Sequence, residues 1–286
     1  MQPKVGILVN AYNDPPEQLN RILESVYRQD YERLSIVLVD DGSDVPLAQL
    51  IGFAYKRDRM QVLRIPHGER AAAREQGMDA LRQDADYLLF LDSDMELPEG
   101  FVRRAVAIAQ ENGADALMIP ERAYSHYDNF WSKVKVFERN LYSRGEQVDG
   151  SSIEAARFWA AAAFPGFTAG LNAFEEIQPT LHCLAAGGRI LKKQEVWIRH
   201  DEKHVTLRGL LAKKRYYFGE MAGHSAVKLG DTLRKYYFFR KQLYIGPNRM
   251  AYIRHPLLTA GVIVLYLLLT GTSAIHFLGR RIRRKA

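Results

Sequence analysis

Cysteine is almost absent from this 286-residue chain: Cys183 stands alone. That excludes a disulfide framework and a thiolate zinc site, and it fits a reducing compartment. There is no low-complexity run and no internal repeat, and a hydrophobic content of 47% supports a full core rather than disorder. The N-terminus enters an apolar segment at residues 4–9 without the leader of a secretory signal, so none is expected. Acid is missing from one end. Residues 203–286 hold 17 Lys+Arg against 2 Asp+Glu, whereas residues 1–202 hold 23 against 31. The net charge of +7 therefore conceals an acidic body and a basic tail, and such a tail suits an anionic surface, either membrane or nucleic acid.

Residues 256–278 favour the membrane. They contain no Asp, Glu, Lys or Arg, and only His276 could carry a charge near neutral pH. As a helix they would run roughly 34 Å, enough to cross a bilayer core, and a nucleic-acid module has no use for that. The stretch before them is basic and aromatic, with clusters at 213–218 and 234–241 that suit helices in a membrane interface. The basic residues at 280–285 favour the cytoplasmic side. A single span puts one basic flank on the wrong side, so a break at Gly271, Thr272 and Ser273 into a re-entrant or interfacial hairpin stays open. So does a buried helix or a dimer seam. The expected organisation is a catalytic body at 1–202, a basic-aromatic helical region at 203–255 and a hydrophobic membrane segment at 256–286.

Within the body, apolar strands alternate with helical patterns. Strands are expected at 4–9, 34–39, 60–65 and 87–91, with a further apolar stretch at 114–119. Helices follow Pro16, Pro46, His67 and Pro98, and more are expected at 130–142 and 175–186, before a strand at 189–198. This order argues a mostly parallel, doubly wound α/β sheet. Leu88, Leu89, Phe90 and Leu91 form a run that reads as a strand buried on both faces, and Asp92, Ser93 and Asp94 end it. Ligands of open α/β sheets bind outside the carboxyl ends of strands. Two carboxylates there make a hard-cation site, where a divalent ion keeps waters and shares itself with a phosphate; a plain polar turn is the alternative. Tyr12 and Asn13 follow the first strand, and Asp40 and Asp41 the second. Asp41 can accept from the imide N–H of a pyrimidine on which Tyr12 stacks, or the Asp40–Asp41 pair can cap a helix turn.

These residues resemble the family 2 glycosyltransferases, which have a GT-A fold. The likeness is carried by Tyr12 and Asn13, by Asp40, Asp41, Gly42 and Ser43, and by Gly68 with Ala73, Arg74 and Gly77. It continues through Asp92, Ser93 and Asp94, then from Phe167 through Glu175 and Glu176 to Gly187. The resemblance implies an inverting transfer from a nucleotide-diphosphate sugar. It implies Tyr12, Asn13, Asp41, Arg74, Asp92 and Ser93 at the nucleotide, and Asp94, with Asp92 and His200, on Mn²⁺ or Mg²⁺. The base would come from Glu175 or Glu176; the family's usual second acid there is Asp, so acceptor identity is the open point. With the tail, the expectation is a membrane-associated enzyme whose body is cytoplasmic and whose acceptor is lipid-linked or membrane-proximal. Nucleic acid is not an expected partner, and self-association stays open. Transfer onto a polyprenyl phosphate, which needs no base, and a non-catalytic nucleotide-sugar binder are the alternatives.

Overall fold

A computed structural model describes residues 2–52, 59–68, 70–148, 154–168, 175–223, 243 and 246–283. The chain divides into two compact units, residues 1–122 with 145–200, and residues 123–144 with 201–286. The helix at 130–142 thus groups with the C-terminal residues, not with the body where the sequence reading placed it.

The first unit is built on a seven-stranded sheet. Its strands are β1 (Val5–Ala11), β2 (Leu34–Asp41), β3 (Met60–Ile65), β4 (Tyr87–Asp92), β6 (Ala116–Met118), β8 (Arg157–Ala160) and β9 (Ile190–Lys192). They lie in the order β3-β2-β1-β4-β8-β6-β9. The pairs β1–β2, β1–β4 and β2–β3 are parallel, and β8 runs antiparallel between β4 and β6. Two short strands, β5 (Met95–Glu96) and β7 (Glu121–Tyr124), follow β4 and β6. The helices of this unit are α1 (Pro16–Tyr27), α2 (Leu47–Leu50), α3 (Arg70–Arg82), α4 (Phe101–Asn112) and α6 (Ile177–Ala185).

The central strands are buried on both faces, as their apolar runs require. Ile7, Val9, Ile36, Leu38, Leu89 and Leu91 pack with Leu19, Leu23, Phe101 and Val102 on one side. Leu8, Val37, Val39, Leu88 and Phe90 pack with Ala73, Met78 and Leu81 of α3 on the other. Gly77 sets how close α3 comes: a Cβ there would stand 2.4 Å from Leu8 Cδ1 and 2.8 Å from Val39 Cγ2. Register then aligns the chemistry, because Asn10 lies beside Asp92, Ala11 beside Asp40 and Asp41 beside Ile65. The acids at the ends of β2 and β4 share one sheet edge, which is where the sequence reading put them.

Three boundaries move. The helix expected from Pro98 starts at Phe101, after Gly100 in the left-handed region at φ 67°. The helix expected from 175 starts at Ile177, leaving Glu176 at its N-cap. The strand expected over 189–198 is two strands, β9 and then β10 (Ile198–Asp201), separated by a turn in which Val196 N–H reaches the Lys193 carbonyl.

The second unit is helical: α5 (Phe130–Tyr142), α7 (Leu207–Gly223), α8 (Gly246–Arg254) and α9 (Pro256–Arg283). Val262, Leu265 and Leu269 of α9 pack on Val134 of α5, flanked by Leu207, Leu210 and Leu211 of α7. Gly261 allows the approach, since a Cβ there would meet Val134 Cγ2 at 2.4 Å. The Tyr266 and Tyr142 hydroxyls bond to each other, and Glu138 accepts from Tyr142 at 3.2 Å. The break considered at Gly271 is not there, because α9 runs through it unbroken. The bend comes at Pro256, which cannot donate into the preceding helix. Among the described residues no single helix is long and apolar enough to cross a membrane; Asn248–Arg254 and Pro256–Thr272, bent by 109°, reach that threshold only together. The basic-aromatic cluster at 234–241 lies outside the described residues.

Candidate active site

Arg74 is the hub. It projects from α3, is 2% exposed, and stands with its guanidinium carbon 4.9 Å from the centre of the Phe90 ring. Its Nη2 donates to Asp92 Oδ1 at 2.6 Å, and its Nη1 pairs with Glu175 Oε1 at 2.8 Å and lies 3.9 Å from Glu176 Oε2. Arg70, one turn earlier, lies 3.8 Å from the same Glu175 oxygen. One buried cation thus joins the first acid at the β4 end to both acids before α6. Burial pulls the Asp92 carboxyl up, but the Arg74 and Arg70 guanidiniums outweigh it and hold it below the usual carboxylate range. Glu176 goes the other way. Burial and the adjacent Glu175 raise it to about 7, against the pull of Arg74 and Arg157. Of the two candidate bases, Glu175 is spent on arginine and Glu176 titrates near neutrality.

Arg157, fully buried at the start of β8, supports this arrangement. Its Nε reaches Thr180 Oγ1 at 3.4 Å, and that hydroxyl donates to the Glu176 carbonyl at 3.1 Å. Its Nη1 donates to the carbonyls of Glu154 and Ala156, and Glu154 pairs with Lys192 at 2.6 Å.

Asp94, two residues past Asp92, has a different neighbour. β10 pairs antiparallel with β5, setting His200 opposite Met95. His200 Nε2 then stands 3.9 Å from Asp94 Oδ1, while Nδ1 lies 3.1 Å from Glu121 Oε2. Glu121 is fully buried, and its other oxygen accepts the Ala155 N–H at 2.8 Å. A carboxylate held there favours the proton on Nδ1, which turns the Nε2 lone pair toward Asp94. Among the described residues no three His, Cys, Asp or Glu side chains form a closed metal cage. One carboxylate and one imidazole leave most of a coordination sphere for phosphate oxygens and water, which is how Mg²⁺ and Mn²⁺ sites at phosphates are built.

At the other end of the edge, the two acids that end β2 have different partners. Asp40 is the turn carboxylate: it accepts from Ser43 N–H at 2.9 Å, Leu47 N–H at 3.0 Å and Arg64 at 3.0 Å. Asp41 faces His67, whose Nδ1 lies 3.0 Å from the Asp41 carbonyl and 3.2 Å from its carboxylate; the other carboxylate oxygen accepts Gly68 N–H at 3.3 Å. The His67 ring stacks on Tyr12, centroids 4.0 Å apart and 11° from parallel. A cleft of about 490 Å³ opens beside them, lined by Gly42, Arg64, Ile65, Pro66 and His67. Asn13, in the left-handed region at φ 51°, ties the loops together: its N–H reaches Ser43 Oγ at 2.9 Å, and its side-chain oxygen accepts Asp44 N–H at 2.8 Å. Ser93 Oγ accepts from the buried Gln18 at 2.8 Å. Gln18, His67, Glu121 and Arg157 were missed from the sequence; only His67, directly before the quoted Gly68, carried a signal.

The family model "Glycosyl transferase family 2" matches residues 7–187. This chain belongs to that glycosyltransferase family. The match holds every site residue except His200. The succinoglycan biosynthesis protein ExoW of Rhizobium meliloti (strain 1021) is 38% identical over 93 residues, 32% of this chain and 29% of the relative. The glycosyltransferase GlyG of Streptococcus pneumoniae serotype 4 is 27% identical over 130 residues, 45% of this chain and 41% of the relative. The chain therefore spans less than half the length of these relatives. Among solved structures, S. aureus TarS 1–349 in complex with UDP superposes with a TM-score of 0.57 at 16% identity, covering 96% of this chain and 92% of that one. Its complex with UDP-GlcNAc gives 0.54 at 15%. The mixed sheet is the GT-A fold of these transferases.

Proposed function

We propose that this glycosyltransferase moves a sugar from a nucleotide-diphosphate donor onto a hydroxyl of a lipid-linked or membrane-proximal acceptor, with inversion at the anomeric carbon. The carrying observation is the Arg74 bridge, 2.6 Å to Asp92 and 2.8 Å to Glu175. It supports the reading by joining the end of β4, where a diphosphate would leave, to Glu175, the neighbour of the proposed base Glu176. In this reading Tyr12 and Asp41 receive the base, with Asn13 and Ser93 shaping the loops around the nucleotide. Asp94 and His200 would hold Mn²⁺ or Mg²⁺; when bound, such an ion neutralises charge growing on the departing diphosphate. UDP complexes of the distant TarS fold support a nucleotide donor at this edge.

Glu176 does the proton work. Ionised, it accepts the proton of the acceptor hydroxyl while that oxygen bonds to the anomeric carbon and the bond to the diphosphate oxygen breaks. A base tuned to about 7 combines a useful ionised fraction with real basicity at neutral pH. Glu175 beside it stays paired with Arg74. A cytoplasmic body against a membrane fits both the basic tail and the place where nucleotide sugars are made.

The test is sugar transfer by Glu176→Gln and Glu175→Gln proteins, after a thermal-shift panel of UDP-, GDP- and dTDP-sugars with and without Mn²⁺ has chosen the donor. Glu176→Gln should lose about 10²- to 10⁴-fold in turnover with donor binding retained. Full turnover by that variant would remove the base and favour an already anionic phosphate acceptor. Donor binding with no transfer to any membrane extract would make the chain a binder only.

A further inference from the structure

Helix α9 is apolar on two opposite sides, and only one of them is used. Gly261, Val262, Leu265 and Leu269 are buried against α5 and α7. Leu257, Ile263, Val264, Leu267 and Leu268 point the other way, and Leu257 and Leu267 are 77% and 68% exposed. The exposed positions recur three or four residues apart, with Ala260 and Gly271 exposed on the same side, so they form one stripe rather than scattered contacts. Across the Pro256 bend, α8 adds Ile253, 70% exposed, and Met250, 48% exposed. Arg249 and Arg254 are exposed beside them. A contiguous apolar face of this kind is a binding surface, not a normal solvent face.

We infer that this stripe is the membrane-docking face, and that it lies in the plane of an anionic lipid interface rather than crossing it. Two observations choose the occupant and the geometry. Residues 203–286 carry 17 Lys+Arg against 2 Asp+Glu, an excess of one sign that complements acidic lipid headgroups and would repel a second copy of the same region. The inner side of α9 is spent on protein, down to a Cβ-free contact at Gly261 and the Tyr266–Tyr142 bond. A helix with half its circumference docked on α5 and α7 meets lipid along one stripe only. This deepens the membrane-proximal reading above, by naming the face and its depth.

Flotation of the full-length protein with vesicles of phosphatidylcholine alone, or with 3:1 phosphatidylcholine to phosphatidylglycerol (about a quarter acidic lipid, enough to present a negative surface), tests the face. The wild-type protein should float with the acidic vesicles and release as salt rises. The double variant Ile263→Asp, Leu267→Asp should lose at least about tenfold in partitioning with its melting temperature unchanged, because both side chains are exposed. Depth is read by quenching of a fluorophore on Leu257→Cys or Leu268→Cys in a Cys183→Ala background. An in-plane helix gives both probes the same depth, whereas a crossing helix separates them by up to about 16 Å. Wild-type protein that stays off acidic vesicles yet still glycosylates a soluble acceptor would overturn the docking face and leave the catalytic reading standing. Unequal depths would overturn the in-plane geometry, and a dimer dissociated by the double variant would give the stripe to a second copy. Vesicle binding without turnover of any nucleotide sugar would remove the catalytic reading and leave this one intact.

Discussion

Two acids only two residues apart, Asp92 and Asp94, live in different electrostatic worlds. Asp92 is answered from inside the protein, by a buried arginine at 2.6 Å that it shares with Glu175. Asp94 meets an imidazole at 3.9 Å whose far nitrogen is anchored on the buried Glu121. The Arg74 side of the crevice is therefore held by a cation of the protein itself, whereas on the His200 side the proposed cation would come from outside. On that reading the motif divides into a fixed half and an exchangeable half.

The largest effect should come from breaking the fixed half. Arg74→Met leaves Glu175 buried, with Asp92 and Glu176 beside it, after removing their shared cation, and uncompensated buried charge costs roughly 3–5 kcal/mol. Urea unfolding should show that loss, and a midpoint within error of the wild type would refute the hub. A crossover sharpens the same comparison. Asp92→Asn should reduce stability and leave Mn²⁺ affinity near wild type, whereas Asp94→Asn should weaken Mn²⁺ binding in calorimetry and leave the unfolding midpoint in place. Equal effects of both variants on both measurements would erase the distinction.

Next in size is the pH dependence of the fixed half. Glu176 is raised in the folded state, from an ordinary 4.5 to about 7, so the folded protein binds more protons than the unfolded chain between those values. Stability then falls as pH rises through that window, and the sign is opposite to that of Asp92, whose lowered value adds stability that is lost only as pH falls through it. Glu176→Gln should accordingly melt higher than wild type at pH 8 and lose that advantage at pH 5. Wild-type kcat/KM for the hydroxyl acceptor should drop about tenfold per pH unit below 7 if this carboxylate is the base. A flat profile from pH 5 to 8 would assign the base elsewhere.

The fold was legible because its central strands are buried on both faces. Runs such as Leu88 to Leu91 have no polar alternation to mislead. The gathering of acids at one sheet edge was legible wherever acids ended such runs. What stayed hidden was side-chain pairing between distant segments. Nothing local in Glu121 says that it will turn His200, and Arg157 in a short strand gives no sign of bracing the N-cap of α6 through Thr180. The antiparallel β8 was hidden as well, since four residues inserted between β4 and β6 carry too little pattern to show their direction. Asp40 and Asp41 show a gentler limit: Asp40 takes the turn-capping role, while Asp41 meets His67, a partner that the spacing did not show.

Glu121 gives the smallest effect and the finest test of the exchangeable half. It would touch neither donor nor ion, so its influence on Mn²⁺ must pass through the imidazole. Gln in its place can still fill the cavity and accept the Ala155 N–H, but it removes the negative charge that favours the proton on Nδ1 and strengthens Nε2 as a donor. Loss of such an outer partner typically weakens metal binding by about 10- to 100-fold. Mn²⁺ titration of Glu121→Gln, read by the paramagnetic signal of free ion, should fall in that range while nucleotide binding without metal stays unchanged. A Glu121→Asp protein separates charge from reach, because it keeps the charge one methylene short of His200. If Asp restores affinity better than Gln, charge matters most. If both variants bind Mn²⁺ like wild type, His200 is not a ligand, and Asp94 holds the cation without it.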